Sequence, residues 1–155
     1  MVVIVPFDGS TLSKSALLHG LRASGLYQDD LLAVTVIPDR NAGYARENGW
    51  LTDEEEFDKE LIVSRLRQQV AQIAPEAEFK HITVDRYATS GTISSRIRRL
   101  ARDLDTSAIF IGSENAGHSF LGPESVGGRV AYENAYDIAI IRNPIPEIDC
   151  DKQTT

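Results

Sequence analysis

The sequence predicts an α/β domain: a five-stranded, mostly parallel sheet with helices on both faces. Three observations lead there. Five short apolar runs recur along 155 residues. Four stretches of helical character separate them, and strands alternating with helices give a parallel sheet. The first two runs are continuous rather than alternating, as expected of strands buried on both faces. Right-handed crossovers reduce the strand orders to 3-2-1-4-5 or the flavodoxin-like 2-1-3-4-5.

Residues 2–6 (VVIVP) form the first run, and Phe7-Asp8-Gly9-Ser10 reads as a turn. A helix follows over about 11–24 on Leu12, Ala16, Leu17 and Leu21, capped by Ser10 or Thr11 and stopped at Gly25. Residues 31–37 (LLAVTVI) are the second strand, closed by Pro38, which has no ladder donor. Residues 38–51 read as a long loop holding the only tryptophan, Trp50.

Thr52-x-x-Glu55 is a capping box, which predicts a helix from there to about Ile73, with Asp53, Glu54, Glu55 and Glu56 crowding its first turn. Residues 79–84 (FKHITV) alternate more than the others, which suits an edge strand. The next helix spans about 93–104. Its outer face carries Arg96, Arg98, Arg99 and Arg102, and reads as a solvated face opposed by neighbouring acids. Residues 108–112 (AIFIG) form the fourth strand, a short helix covers about 124–134, and residues 137–142 (DIAIIR) form the last strand. The domain is thus expected over 1–144, with 145–155 as a flexible tail.

Composition excludes several classes. There are 23 acids against 16 bases, a net charge of −7, and an acidic globule repels nucleic acid phosphates. No apolar run reaches the roughly 20 residues of a membrane span, and residues 1–6 are too short for a signal peptide. Cys150 stands alone, which fits a reducing cytoplasm. The enzyme signatures are missing too. There is no Gly-x-Ser-x-Gly, no Ser-His-Asp or Cys-His arrangement, and no His/Cys cluster at zinc spacing. The expectation is a protein that is not an enzyme.

In either strand order, ligands bind beyond the carboxyl ends of the strands where the winding reverses. For the order 3-2-1-4-5 that crevice is made by Pro6 to Ser10 and Gly112 to Ser125. Asp8 is the residue to watch there. A carboxylate can accept hydrogen bonds from a ribose or hold a metal, but Asp-Gly is also turn chemistry. Residues 112–126 (GSENAGHSFLGPESV) place glycines between a strand and a helix, as a phosphate site requires. They do not form a Walker A loop.

These residues resemble the universal stress protein family. The resemblance is carried by VIVPFDGSTLSKSAL at the start, LLAVTVI, SAIFIGS, ESVGGRV and the closing IAIIRN, and it covers about residues 2–143. It implies strand order 3-2-1-4-5 and a homodimer pairing through the last strand, with Ile138, Ile140 and Ile141 at the interface. It also implies ATP or AMP as ligand, with adenine and ribose contacts at Pro6, Asp8 and the Val36 backbone.

The ATP-binding branch of that family carries Gly-x2-Gly-x9-Gly-Ser/Thr after strand 4. Here the first glycine is Gly112, the second position holds Asn115, and the end anchors on Ser125 and Val126. That alignment puts Glu124 at the last glycine and leaves the loop one residue short. The nucleoside half of the pattern survives, and the phosphate half is damaged. Asn115 tolerates positive φ. Glu124 adds a charge that competes for the same helix N-terminus as a phosphate, with a repulsion of roughly 1 kcal/mol at about 4 Å in water and several times more where solvent is reduced. The loop has no lysine or arginine to compensate. The expected function is a cytoplasmic, dimeric binding or regulatory module of the stress response with lost or weakened ATP binding, acting on a protein partner. The alternatives are an ATP/AMP-binding switch of the same family and a slow ATPase.

Overall fold

The computed structural model describes residues 1–113 and 136–145. Nine elements occur among them in the order β1 (Val2–Pro6), α1 (Thr11–Tyr27), β2 (Asp30–Pro38), α2 (Ala42–Glu47), α3 (Lys59–Ile73), β3 (Glu78–Val84), α4 (Ser90–Asp103), β4 (Thr106–Gly112) and β5 (Asp137–Ile141). The sheet has the order β3-β2-β1-β4-β5, and every pair is parallel. Of the two orders open to the strand pattern, the flavodoxin-like one is therefore excluded. The helix expected over 124–134 lies outside the described residues.

Strand alternation divides the core into two layers. Val3, Val5 and Phe7 of the first strand region pack with Leu17 of α1 and with Ile62, Leu66 and Val70 of α3 on one face. Ile4, Val34, Val36, Ile109 and Ile111 meet Ile97 and Leu100 of α4 on the other. Burying each such aliphatic side chain contributes about 1.5–3 kcal/mol, so the central strands are the best anchored part of the fold. Among the described residues no helix is long and apolar enough to cross a membrane.

Several element boundaries differ from the sequence reading, and α4 starts at Ser90, three residues early. Half of the capping box at Thr52 forms, with the Thr52 amide donating to Glu55 Oε1 at 2.8 Å and the Glu55 amide reaching the Thr52 carbonyl at 3.2 Å, but no helix follows it directly. Arg65 holds both Glu55 carboxylate oxygens at 2.8 Å, which keeps the acid run in a separate turn. Helix α3 starts seven residues after Thr52, at Lys59, capped by Asp58, whose side chain accepts from the Leu61 amide. The loop expected over 38–51 contains α2, capped by Asn41. Helix α1 passes Gly25 and ends at Tyr27 with Gln28 in the left-handed conformation. The Asp29 amide then reaches back to the Ser24 carbonyl at 2.8 Å, as in a Schellman closure. Beyond β5, Ile145 is buried and its amide donates to Ser15 Oγ at 3.0 Å, so the chain stays on the body as far as that residue.

Candidate functional site

The winding reverses between β1 and β4, so the crevice lies at their carboxyl ends and at that of β2. The strands end at different heights there. The β1–β2 register stops at Pro6 opposite Val34, whereas the β2–β3 register continues to Pro38 opposite Val84. The Phe7 amide donates to the Val34 carbonyl at 2.8 Å, so Val34 turns its polar groups towards β1. Alternate residues of a strand turn them to the same edge. Val36 therefore presents its amide and carbonyl on the β1 side, past the point where β1 has ended. Among the described residues nothing pairs with this short length of backbone at the floor of the crevice. The Val36 side chain points the other way, into the core beneath α4.

Asp8 stands at the rim of that opening, half-buried. Its Oδ1 accepts from the Ser10 amide at 2.9 Å, and its carbonyl accepts from the Trp50 indole N–H at 2.8 Å. The turn reading and the functional reading both apply. One carboxylate oxygen builds the turn, and no donor among the described residues reaches Oδ2. Gly9 makes the arrangement achievable: it has φ +82°, and a Cβ there would come within 2.8 Å of Gln69 Oε1. Ser10 caps α1 by accepting from the Ser13 amide at 3.2 Å, while Thr35 Oγ1 donates to the Phe7 carbonyl.

Gly112 closes β4 for a packing reason. A Cβ there would lie 3.0 Å from the Leu12 carbonyl carbon and 3.1 Å from the Ser13 amide nitrogen. The absent side chain brings the first turn of α1 against the end of β4. Pro6, Asp8, Val36 and Gly112 thus lie together at the ends of three adjacent strands. Asn115, Glu124, Ser125 and Val126 lie outside the described residues. Ile138, Ile140 and Ile141 sit on β5 at the sheet's outer edge, with the first two turned towards the α4 layer and the third towards the α1 layer.

A wall of the crevice that sequence reasoning missed comes from α2 and the chain after it. Tyr44 packs edge-on to Trp50, with ring centroids 5.6 Å apart. Burial raises the Tyr44 phenol pKa, and the nearby Asp8 carboxylate raises it further. Arg65 bonds the Trp50 carbonyl at 2.9 Å as well as Glu55, tying this strap to α3. The lone Trp50 and the helix-capping Asn41 were the available signals. No cluster of three potential metal-ligating residues occurs among the described residues.

Open backbone, a carboxylate and two aromatic rings lie together at the switch point of a parallel α/β domain, where sheets of this kind place their ligands. The chain belongs to the universal stress protein family, whose model matches residues 1–131. Its fold is similar to that of a universal stress protein crystallised with cAMP, at 16% identity and TM-score 0.53, with 92% of this chain and 96% of that one covered. The universal stress protein from Archaeoglobus fulgidus in complex with dAMP has 17% identity and TM-score 0.50, with 91% and 96% covered. The one from Lactobacillus plantarum has 20% identity and TM-score 0.51, with 92% and 97% covered. No curated protein sequence matches.

Proposed function

We propose that this chain is a regulatory module of the stress response that takes an adenine mononucleotide in the crevice and holds a triphosphate only weakly. The observation that carries the proposal is that the Val36 backbone and Asp8 Oδ2, neither with a partner among the described residues, stand side by side at the crevice. Together they offer a donor and an acceptor to a base edge and a carboxylate to ribose hydroxyls. Two proteins of similar fold bind cAMP and dAMP, which supports a monophosphate as ligand. Glu124 at the position of the family's last glycine supports weakened binding of further phosphates, since a carboxylate and a phosphate compete for the same donors. The module acts as a homodimer through β5 and signals to a protein partner.

Calorimetric titration with AMP and ATP at one salt concentration tests the site. AMP is expected to bind more tightly than ATP. Asp8→Asn keeps the turn acceptor and removes the charge, and should lower AMP affinity about tenfold, the scale of one charge-assisted hydrogen bond. Glu124→Gly should raise ATP affinity about fivefold or more. Stoichiometric ATP released from the purified protein on boiling, or ATP affinity unchanged by Glu124→Gly, would overturn the reading.

A further inference from the structure

The outer strand β3 carries a basic surface that the crevice does not use. This strand bonds β2 on one side and no strand on the other, among the described residues. Its register fixes which groups are open. The Asp39 amide donates to the Val84 carbonyl at 2.9 Å, so even-numbered residues of β3 face β2. Phe79, His81 and Thr83 therefore turn their amides and carbonyls outward.

A groove lies on each side of that row. On the α3 side, about 310 Å³ is lined by Lys59, Arg67 and His81, with Glu60 and Ser64. Arg67 stacks on Phe79, its guanidinium carbon 5.6 Å from the ring centre. Burial lowers the His81 pKa, and the nearby Lys59 and Arg67 charges lower it further. On the α4 side, about 370 Å³ is lined by Lys80, Arg96 and Arg99, with Asp103 as the acid. None of these cations forms an ion pair among the described residues. Among the described residues, none of the acids expected to oppose the arginine face of α4 pairs with Arg96 or Arg99. A charged residue on an edge strand ordinarily guards against aggregation, and Lys80 alone would serve that purpose. Guarding does not call for four further bases on two flanking helices, in a chain of net charge −7.

We propose that β3 receives an extended acidic peptide as a sixth strand. Successive side chains of an added strand point to opposite faces. One set of carboxylates would meet Lys59 and Arg67, and the alternate set Lys80, Arg96 and Arg99. The outward groups of Phe79, His81 and Thr83 supply the ladder, as in other cases of strand addition.

Fluorescence anisotropy with an end-blocked, labelled heptapeptide, Glu-Asp-Val-Glu-Ile-Asp-Glu, tests this on the full chain. Binding should weaken with salt. Arg67→Glu and Lys80→Glu should each lower affinity about tenfold, as charge reversal replaces attraction with repulsion. Thr83→Pro removes an outward amide without touching the β2 ladder, and should lower affinity by a similar factor while the far-ultraviolet circular dichroism is unchanged. Peptides N-methylated on odd or on even residues provide a test independent of any variant's folding: one set should bind and the other should not. Equal effects of both sets, full displacement by millimolar inorganic phosphate, tighter binding of a single-stranded oligonucleotide of equal charge, or no peptide binding at all would overturn the proposal.

Discussion

Glu55 is held below its ordinary pKa of 4.5, at about 2, first by the Arg65 hydrogen bonds and then by the Thr52 amide. A depressed folded-state value means that the ionised form is favoured by folding. The stability it lends is complete above the unfolded value and is lost as pH falls through the window between about 4.5 and about 2. Glu55→Gln should therefore give a urea midpoint less sensitive to pH across that window than the parent protein. Parallel midpoint curves down to the acid end would show that the pair does not form in solution. Asp8 illustrates the other use of a carboxylate. Its turn hydrogen bond to Ser10 was legible from Asp-Gly, and its place at the crevice was legible from its position after the first strand. The open Oδ2 was not legible, because it depends on where β1 stops relative to β2. Tyr44 and Arg65 were invisible for the same reason: they act across 6 and 15 residues on Trp50, and no local pattern reports such a contact.

Helix boundaries show where local signals compete. A capping box predicted a helix start at Thr52, and its hydrogen bond exists, but Arg65 from the next helix claims the glutamate and Asp58 supplies the actual cap. Gly25 looked like a stop for α1, yet it is an exposed residue of the last helical turn and the left-handed residue is Gln28, φ 57°. A side chain in that conformation costs roughly 1 kcal/mol, so Gln28→Gly should raise the melting temperature by about 2–4 °C. Gly20 gives the opposite sign. Alanine gains about 1 kcal/mol of helix propensity over glycine, but a Cβ at Gly20 would lie 2.7 Å from Val5 Cγ2 and 3.3 Å from Leu31 Cδ1. Val5 is a stiff β-branched residue at the core, and overpacking there costs about 1–3 kcal/mol. Gly20→Ala should therefore lower the melting temperature; an increase would mean that α1 can move off the sheet. The strands were far more legible than these helix ends, because a run such as LLAVTVI has one way to be buried and a cap residue has several partners to choose among.

At the scale of the whole molecule the sheet has two unlike edges. Bases from two helices flank β3, whereas Ile138, Ala139, Ile140 and Ile141 run along β5 with charge only at Asp137 and Arg142 beside them. All four apolar residues are half-buried among the described residues, so each keeps surface to give to a partner. An apolar edge strand left open is an aggregation hazard, and a second copy of the same strand is the simplest cover for it. A two-fold axis at β5 would leave both β3 edges at the far ends of the assembly, open to other partners. Sedimentation should then find twice the 17.1 kDa chain mass at micromolar concentration. Ile140→Lys should yield the single-chain mass with the circular dichroism of a folded domain, because one lysine on each strand sets like charges against each other across the axis. Nucleotide affinity should hardly change in that variant, since Ile140 lies on the far side of β4 from Asp8 and Val36. A parent protein that sediments only as a single chain would remove the dimer from the proposed function while leaving the crevice reading intact.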